Sequence, residues 1–206
     1  MKIKICGLKE PDNIKAVADL NPDYLGFINY SASPRFIGDL PVQVLDDLPG
    51  HLIKTGVFVN ESLEMVRLLI KEYGFDAVQL HGYENPEFCE ALKGMVTVIK
   101  AFGVDTNFDF EQLSPYLGHV DYFLFDTKTD KHGGSGETFD WGILEKYKFD
   151  VPFFLSGGLS LDNLDEVLKI KHPQFYLVDL NSRFEIESGM KDIEKIKEAV
   201  NKIKNL

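Results

Sequence analysis

Apolar residues recur along this chain in two alternating rhythms. Short runs rich in β-branched and aromatic residues, the signature of strands, occupy Ile3 to Cys6, Tyr24 to Ile28, Thr55 to Val59, Ala77 to Leu80, Val96 to Phe102, Tyr122 to Asp126, Pro152 to Ser156 and Phe175 to Leu180. Helix-like segments lie between them at Pro11 to Leu20, Glu61 to Tyr73, Pro86 to Leu92, Asp140 to Tyr147, Leu161 to Ile170 and Lys191 to Ile203. The clearest places Leu63, Val66, Leu69, Ile70 and Tyr73 at helical spacing.

A strand followed by a helix, repeated, predicts a parallel sheet, because a parallel crossover needs a dozen or more residues and usually uses a helix. Eight such units close an α/β (βα)8 TIM barrel. A doubly wound open sheet shares the local pattern and is the competing fold. Its dinucleotide-binding form wants G-x-G-x-x-G after the first strand, where this chain has Cys6-Gly7-Leu8-Lys9. The sequence shows no linker and no low-complexity stretch, so one domain over residues 1–206 is expected.

Composition narrows the function more than the fold. A chain of 206 residues can bury roughly 70% of its unfolded surface and needs no disulfides to hold a core. The net charge of −11, with no basic run, disfavours nucleic acid as a partner. No apolar run approaches the ~18 residues of a membrane span, and Met1 to Ile5 does not read as a signal peptide. Two cysteines, Cys6 and Cys89, are too few for a disulfide framework, so free thiols in a reducing cytoplasm are expected.

In a barrel, the strand C-termini and the loops after them build the active site. Those positions hold Cys6, Ser33-Pro34-Arg35, Gln79-Leu80-His81-Gly82, Asp126, Ser156-Gly157-Gly158, Asp179 and Asn181-Ser182. Small residues after the seventh and eighth strands let backbone N–H groups approach a phosphate, aided by a helix N-terminus. Gly157 and Gly158 also suit an ordinary tight turn, although their place in the barrel favours the phosphate. Cys6 fits a buried core thiol by residue type, but its place at a strand end next to glycine gives an accessible thiol, which with a free pKa of about 8.5 is partly thiolate near neutrality and can act as a base or nucleophile. Cys89, on a helix-like segment, fits packing.

Asp126 suits either a strand-ending turn or a general acid, a role that requires burial or nearby negative charge to raise its pKa. Arg35 suits either a surface ion pair or bidentate capture of a carboxylate. The five histidines have no H-x-H or H-E-x-x-H spacing, no cysteine cluster accompanies them, and no G-x-S-x-G elbow is present, so neither a metal site nor a serine hydrolase is expected.

Taken together, these motifs resemble the phosphoribosylanthranilate isomerases of tryptophan biosynthesis. The matching pieces are Lys4-Ile5-Cys6-Gly7-Leu8, Gly26-Phe27 through Ser33-Pro34-Arg35, Gly56-Val57-Phe58-Val59-Asn60 and Val78-Gln79-Leu80-His81-Gly82. They continue with Asp126, Gly133-Gly134-Ser135-Gly136, Phe139-Asp140-Trp141, Leu155-Ser156-Gly157-Gly158-Leu159 and Val178-Asp179-Leu180-Asn181-Ser182. Their joint order along the chain is what makes the resemblance specific.

The resemblance implies a (βα)8 TIM barrel of the ribulose-phosphate-binding type and an Amadori rearrangement of N-(5-phosphoribosyl)anthranilate to 1-(2-carboxyphenylamino)-1-deoxyribulose 5-phosphate. Asp126 is then the general acid on the furanose oxygen and Cys6 the base at C2. Arg35 is implied to hold the anthranilate carboxylate, and Gly157, Gly158, Asn181 and Ser182 the phosphate, with His81 and Asp179 lining the site. The substrate is a small phosphosugar, no cofactor or metal is implied, and monomer and homodimer both stay open. The loop from Thr127 to Gly136 is expected to order over substrate.

The chain departs from the family pattern in two places. Arg183 replaces a glycine after Ser182, and Tyr30-Ser31-Ala32-Ser33 lacks a lysine before Ser-Pro-Arg, so altered phosphate binding is expected. Rival readings are a related sugar-phosphate isomerase, indole-glycerol-phosphate synthase, and a non-catalytic sugar-phosphate-binding barrel. The synthase would want a catalytic lysine and an N-terminal extension; histidine-pathway isomerases tend to have Asp where Cys6 stands. The paired Cys6 and Asp126 count against a mere binder.

Overall fold

The computed structural model describes residues 1–128 and 138–204. Eight parallel strands form a closed barrel in sequence order: β1 (Lys2–Cys6), β2 (Tyr24–Ile28), β3 (Ile53–Phe58), β4 (Ala77–Leu80), β5 (Thr97–Val104), β6 (Tyr122–Thr127), β7 (Phe153–Leu155) and β8 (Phe175–Leu180). β1 pairs with β8, aligning Lys4 with Asp179 and Ile5 with Leu180, so no strand edge is left open. This is the predicted (βα)8 barrel, and the open doubly wound sheet is excluded.

Alternation along the strands sorts every side chain to one of two faces. Ile3, Ile5, Phe27, Phe58, Leu80, Phe123, Phe125, Leu155, Val178 and Leu180 point outward and pack in the main core beneath the helices. The inward set begins with an apolar floor of Tyr24, Ala77, Ile99, Leu124, Phe154 and Leu177. Above the floor the inward positions turn polar, with Lys4, Thr55, Gln79 and Asp179 all buried. The barrel interior therefore grades from hydrocarbon at its base to hydrogen-bonding groups toward the C-terminal mouth.

The outer elements are less helical than the hydrophobic rhythm predicts. Helices form at α1 (Pro11–Ala18), α2 (Gln43–Asp46), α3 (Leu63–Tyr73), α4 (Pro86–Glu90), α5 (Leu164–Val167) and α6 (Ile193–Lys204). Ser62 caps α3 by accepting from Met65 N–H, and Gly74 ends it in the left-handed conformation. The predicted helix from Asp140 to Tyr147 is a 3-10 turn over Trp141–Lys146, and a further such turn spans Phe110–Tyr116.

The helix expected from Leu161 to Ile170 shrinks to α5 because Asn163 braces the loop before it. Its amide oxygen accepts from Ser160 N–H and its nitrogen donates to the Gly158 carbonyl. Lys191 is not helical. It belongs to a small antiparallel hairpin of β9 (Glu185–Glu187) and β10 (Met190–Lys191). Asn13 of α1 takes both backbone groups of Lys191, at 2.7 and 2.9 Å, which holds the segment extended.

Candidate active site

One cavity opens at the mouth and is lined by Cys6, Gln79, His81, Asp126, Asp179 and Asn181, with Ile28, Tyr30, Ser33, Val57, Val59 and Ser156 completing its wall. Next to it, a smaller hollow is bounded by Asp126, Ser156, Gly157, Gly158, Leu159, Asp179, Asn181 and Ser182. Eight of the nine predicted site residues line these two connected spaces. Arg35 is the exception.

Cys6 ends β1 but is not the accessible thiol expected there. Only 3% of the residue is exposed, and burial raises its thiol above the ordinary range. The Lys4 ammonium and Lys191 pull it back toward the thiolate, while Asp179 pushes it further up. Space for the sulfur comes from Gly26 on β2, where a Cβ would stand 2.6 Å from Sγ. Cys89 is fully buried on α4, as expected of a packing thiol, and burial raises its pKa to about 12.

Asp126 reaches the cavity from β6, across the mouth from Cys6. Its Oδ1 accepts from the Thr127 N–H at 2.9 Å, and its Oδ2 lies 3.4 Å from His81 Nε2. The loop after β7 comes against the same carboxylate. Gly157 has φ +90°, and a Cβ there would meet Thr127 N at 2.5 Å and Asp126 Oδ1 at 2.8 Å. Only glycine satisfies both the left-handed backbone and that approach. The phosphate-type loop and the acid are thus one packed unit. The helix that follows contributes less than expected, since α5 starts only at Leu164.

Beneath the two predicted catalytic groups runs a buried polar chain. Lys4 Nζ donates to Asp179 Oδ2 at 2.8 Å and to Gln79 Oε1 at 2.7 Å, and Gln79 Nε2 meets His81 Nδ1 at 2.9 Å. Burial lowers the Lys4 pKa, but Asp179 and Cys6 more than offset this, so the group stays an ammonium. Among the described residues, Asp179 Oδ1 has no hydrogen-bond partner although it is buried. Lys4 was absent from the predicted site, and Gln79 was placed at a strand end without a role. Their signal was available as parity, since each stands two residues before a mouth residue and so faces the same way in its strand.

Arg35 makes the ion pair that was one of its two sequence readings, but buried and not at the surface. Its guanidinium grips Glu185, with Nε at 2.9 and 3.0 Å from the two carboxylate oxygens and Nη2 at 2.7 Å from Oε2. Glu185 also accepts from Lys191 Nζ at 2.7 Å, and that ammonium reaches Asn181 Oδ1 at 2.7 Å. Burial raises the Glu185 carboxyl, but the Arg35 and Lys191 cations win and hold it below the usual carboxylate range. Any further carboxylate brought to Arg35 would have to share its donors with Glu185. Arg183, standing where the family pattern has glycine, is exposed on the 3-10 turn Ser182–Phe184. Most of the Thr127 to Gly136 loop, including Gly133 to Gly136, lies outside the described residues.

Comparison with known proteins bears on this site directly. A family model described as N-(5'phosphoribosyl)anthranilate (PRA) isomerase matches residues 3–202. The chain is similar to the N-(5'-phosphoribosyl)anthranilate isomerase of Parabacteroides distasonis, at 46% identity over 206 residues, covering 98% of this chain and 93% of the relative. Among solved structures it resembles phosphoribosyl anthranilate isomerase from Thermotoga maritima, with TM-score 0.88 and 33% identity over all of both chains. A phosphoribosyl anthranilate isomerase in complex with reduced 1-(o-carboxyphenylamino)-1-deoxyribulose 5-phosphate superposes with TM-score 0.84 at 29% identity, again over all of both chains.

Proposed function

The chain belongs to the N-(5'-phosphoribosyl)anthranilate isomerase family, and from that premise we propose how its own residues perform the reaction. It is an isomerase of tryptophan biosynthesis. The observation that carries the residue assignment is that Cys6 and Asp126 face one cavity from non-adjacent strands, with a glycine-built hollow beside them.

Asp126 gives its proton to the furanose ring oxygen as the C1–O bond breaks and the anthranilate nitrogen forms a C=N bond to C1. Two N–H groups, from Thr127 and His81, face the carboxylate that this leaves. Cys6, as thiolate, then takes the proton from C2, and the C–H electrons become the C1=C2 bond of an enolamine. The enolamine loses its O2 proton and gains one at C1 to give the ketone. No atom is added or removed; the acid ends one proton short and the base one proton richer, and the two exchange back.

The phosphate is assigned to the hollow beside Gly157, Gly158, Asn181 and Ser182. Asp179 Oδ1 faces the sugar, and Arg35 meets the anthranilate carboxylate while still shared with Glu185. The substrate is a small phosphosugar, and the whole chain acts as a single (βα)8 domain, which the β1 to β8 pairing supports by joining its two ends. No described helix is long and apolar enough to cross a membrane, and work in the cytoplasm is part of the proposal.

Freshly generated phosphoribosylanthranilate loses its anthranilate-type fluorescence on turnover, which gives the test. Rapid loss with the wild type, and a fall of about 10² to 10⁴-fold in both Cys6→Ser and Asp126→Asn at unchanged circular dichroism, is expected. Full activity in either variant removes that residue from the mechanism. Binding of a reduced product analogue without any wild-type turnover would favour the non-catalytic sugar-phosphate barrel.

A further inference from the structure

The reaction needs a thiolate, yet Cys6 sits where burial opposes one. The compensating charge has to come from the barrel interior. Lys4 and Cys6 are two residues apart on β1 and share its inward face, and Lys4 is fully buried directly below the cavity. An ammonium has three N–H donors and no acceptor. Two are used on Asp179 and Gln79, and the Cys6 sulfur, two residues on along the same inward face, feels the ammonium's positive charge.

The same donor-only chemistry fixes the groups beyond it. Because Lys4 can only donate, the Gln79 oxygen must face it, and the Gln79 NH₂ group must point toward His81. His81 Nδ1 is then an acceptor and carries no proton. The neutral ring holds its proton on Nε2, the atom 3.4 Å from Asp126 Oδ2. One cation thus sets the polarity of a chain that starts at the base and ends at the acid.

We propose that Lys4 is the positioning residue of the site: its buried ammonium offsets part of the burial that opposes the Cys6 thiolate and, through Gln79, aims His81 Nε2–H at Asp126. This rests on the assignment of Cys6 as base and Asp126 as acid. Other charged or titratable groups facing Cys6 are Asp179 from β8 and Lys191 from β10, with His81 and Asp126 across the cavity. Asp179 opposes the thiolate and Lys191 supports it, but Lys191 is already engaged with Glu185 and Asn181. Lys4 therefore carries the larger share.

The test reads the thiol itself. Alkylation of Cys6 by iodoacetamide is followed against pH, with Cys89 silent because it is fully buried and its thiol is raised to about 12. In Lys4→Met the alkylation midpoint should move up by about one pH unit or more. The acid limb of kcat should move with it, and KM should change less than kcat. A midpoint unmoved in folded Lys4→Met overturns the proposal.

Where that variant does not fold, Lys4→Met/Asp179→Asn is read against Asp179→Asn alone, because the two charges act on the thiol in opposite directions, and the midpoint should again rise. The wild type supplies a separate check by ¹⁵N NMR, in which the proton of neutral His81 is expected on Nε2; finding it on Nδ1 overturns the relay to Asp126. Cys6→Ser separates the two levels of argument. If it stays active while Lys4 still governs the thiol, the base assignment has failed and the electrostatic reading has not. If it is inactive while Lys4→Met leaves the thiol unmoved, the reverse holds.

Discussion

Two buried lysine–carboxylate pairs, one on each face of the barrel wall, have opposite characters. Lys100 on β5 points outward and gives its Nζ hydrogens to the carbonyls of Leu80, Gly82 and Ala101 and to Glu84 Oε2, at 2.9 to 3.2 Å. Glu84 in turn accepts from the Asn60 and Gly82 N–H groups. Every charge there is surrounded by backbone, and the pair ties the loops after β3 and β4 to β5. Lys4 on β1 points inward, and its partner Asp179, at the edge of the cavity, has one oxygen without a partner among the described residues.

Burial pulls both lysines toward the neutral form, and their surroundings decide the outcome. Lys100 ends below its ordinary pKa because Glu84 offsets only part of the burial. Lys4 ends above it because Asp179 and Cys6 together offset more. A saturated pair supports structure; an unsaturated pair beside open space holds charge ready for chemistry. The distinction lies in the neighbours and not in the residue types.

The comparison can be broken most severely at Glu84. Glu84→Met leaves Lys100 and two loop N–H groups without their acceptor, and a loss of about 3 to 5 kcal/mol in denaturant unfolding is expected, with kcat of the folded fraction little changed. Asp179→Asn should do the reverse. Its expected cost is about 10² to 10³-fold in kcat, with a smaller shift in the unfolding midpoint than Glu84→Met shows. Equal stability losses in the two variants would erase the distinction between the pairs.

A smaller effect is expected from Gly157→Ala, which belongs to the open side of the comparison. The left-handed backbone alone costs about 1 to 2 kcal/mol for a residue with a Cβ. The new methyl also presses on Asp126 and Thr127, so kcat should fall as well as thermal stability. A change in KM alone would mean that the loop serves the phosphate and not the acid.

The mildest test uses pH on Glu185, which sits saturated between Arg35 and Lys191. Its folded pKa lies below the unfolded value near 4.5, so its stabilising contribution is present above that value and is lost as pH falls below it toward the folded pKa. Unfolding midpoints measured from pH 6 downward should show this acid limb, roughly over the range where free carboxylates protonate and below. Glu185→Gln should flatten it. An equally steep limb in the variant would assign the acid sensitivity to other carboxylates.

Much of this protein could be read before it was folded. Hydrophobic periodicity gave the eight strands because a barrel strand must be apolar on its outward face, and it gave Cys6, His81, Asp126 and Asp179 because strand ends fall where the apolar runs stop. The less regular outer shell was harder to read. Apolar spacing over Asp140 to Tyr147 suits a helix and a 3-10 turn alike, and only packing chose between them. Lys191 looked helical until Asn13, 178 residues away, took its backbone groups.

The sequence by itself determined the order of strands and helices and which polar residues arrive at the strand ends, since these depend on local period and chain direction. The tertiary structure alone decided which of those residues meet. Lys4 joins Gln79 and Asp179 across separations of 75 and 175 residues, and Arg35 is held by Glu185 across 150. Such pairings depend on strand register and barrel closure, which set distances that no local pattern encodes. For that reason the accessible thiol expected at Cys6 is a buried one, and the charge that serves it comes from a lysine whose neighbours appear only when the barrel closes.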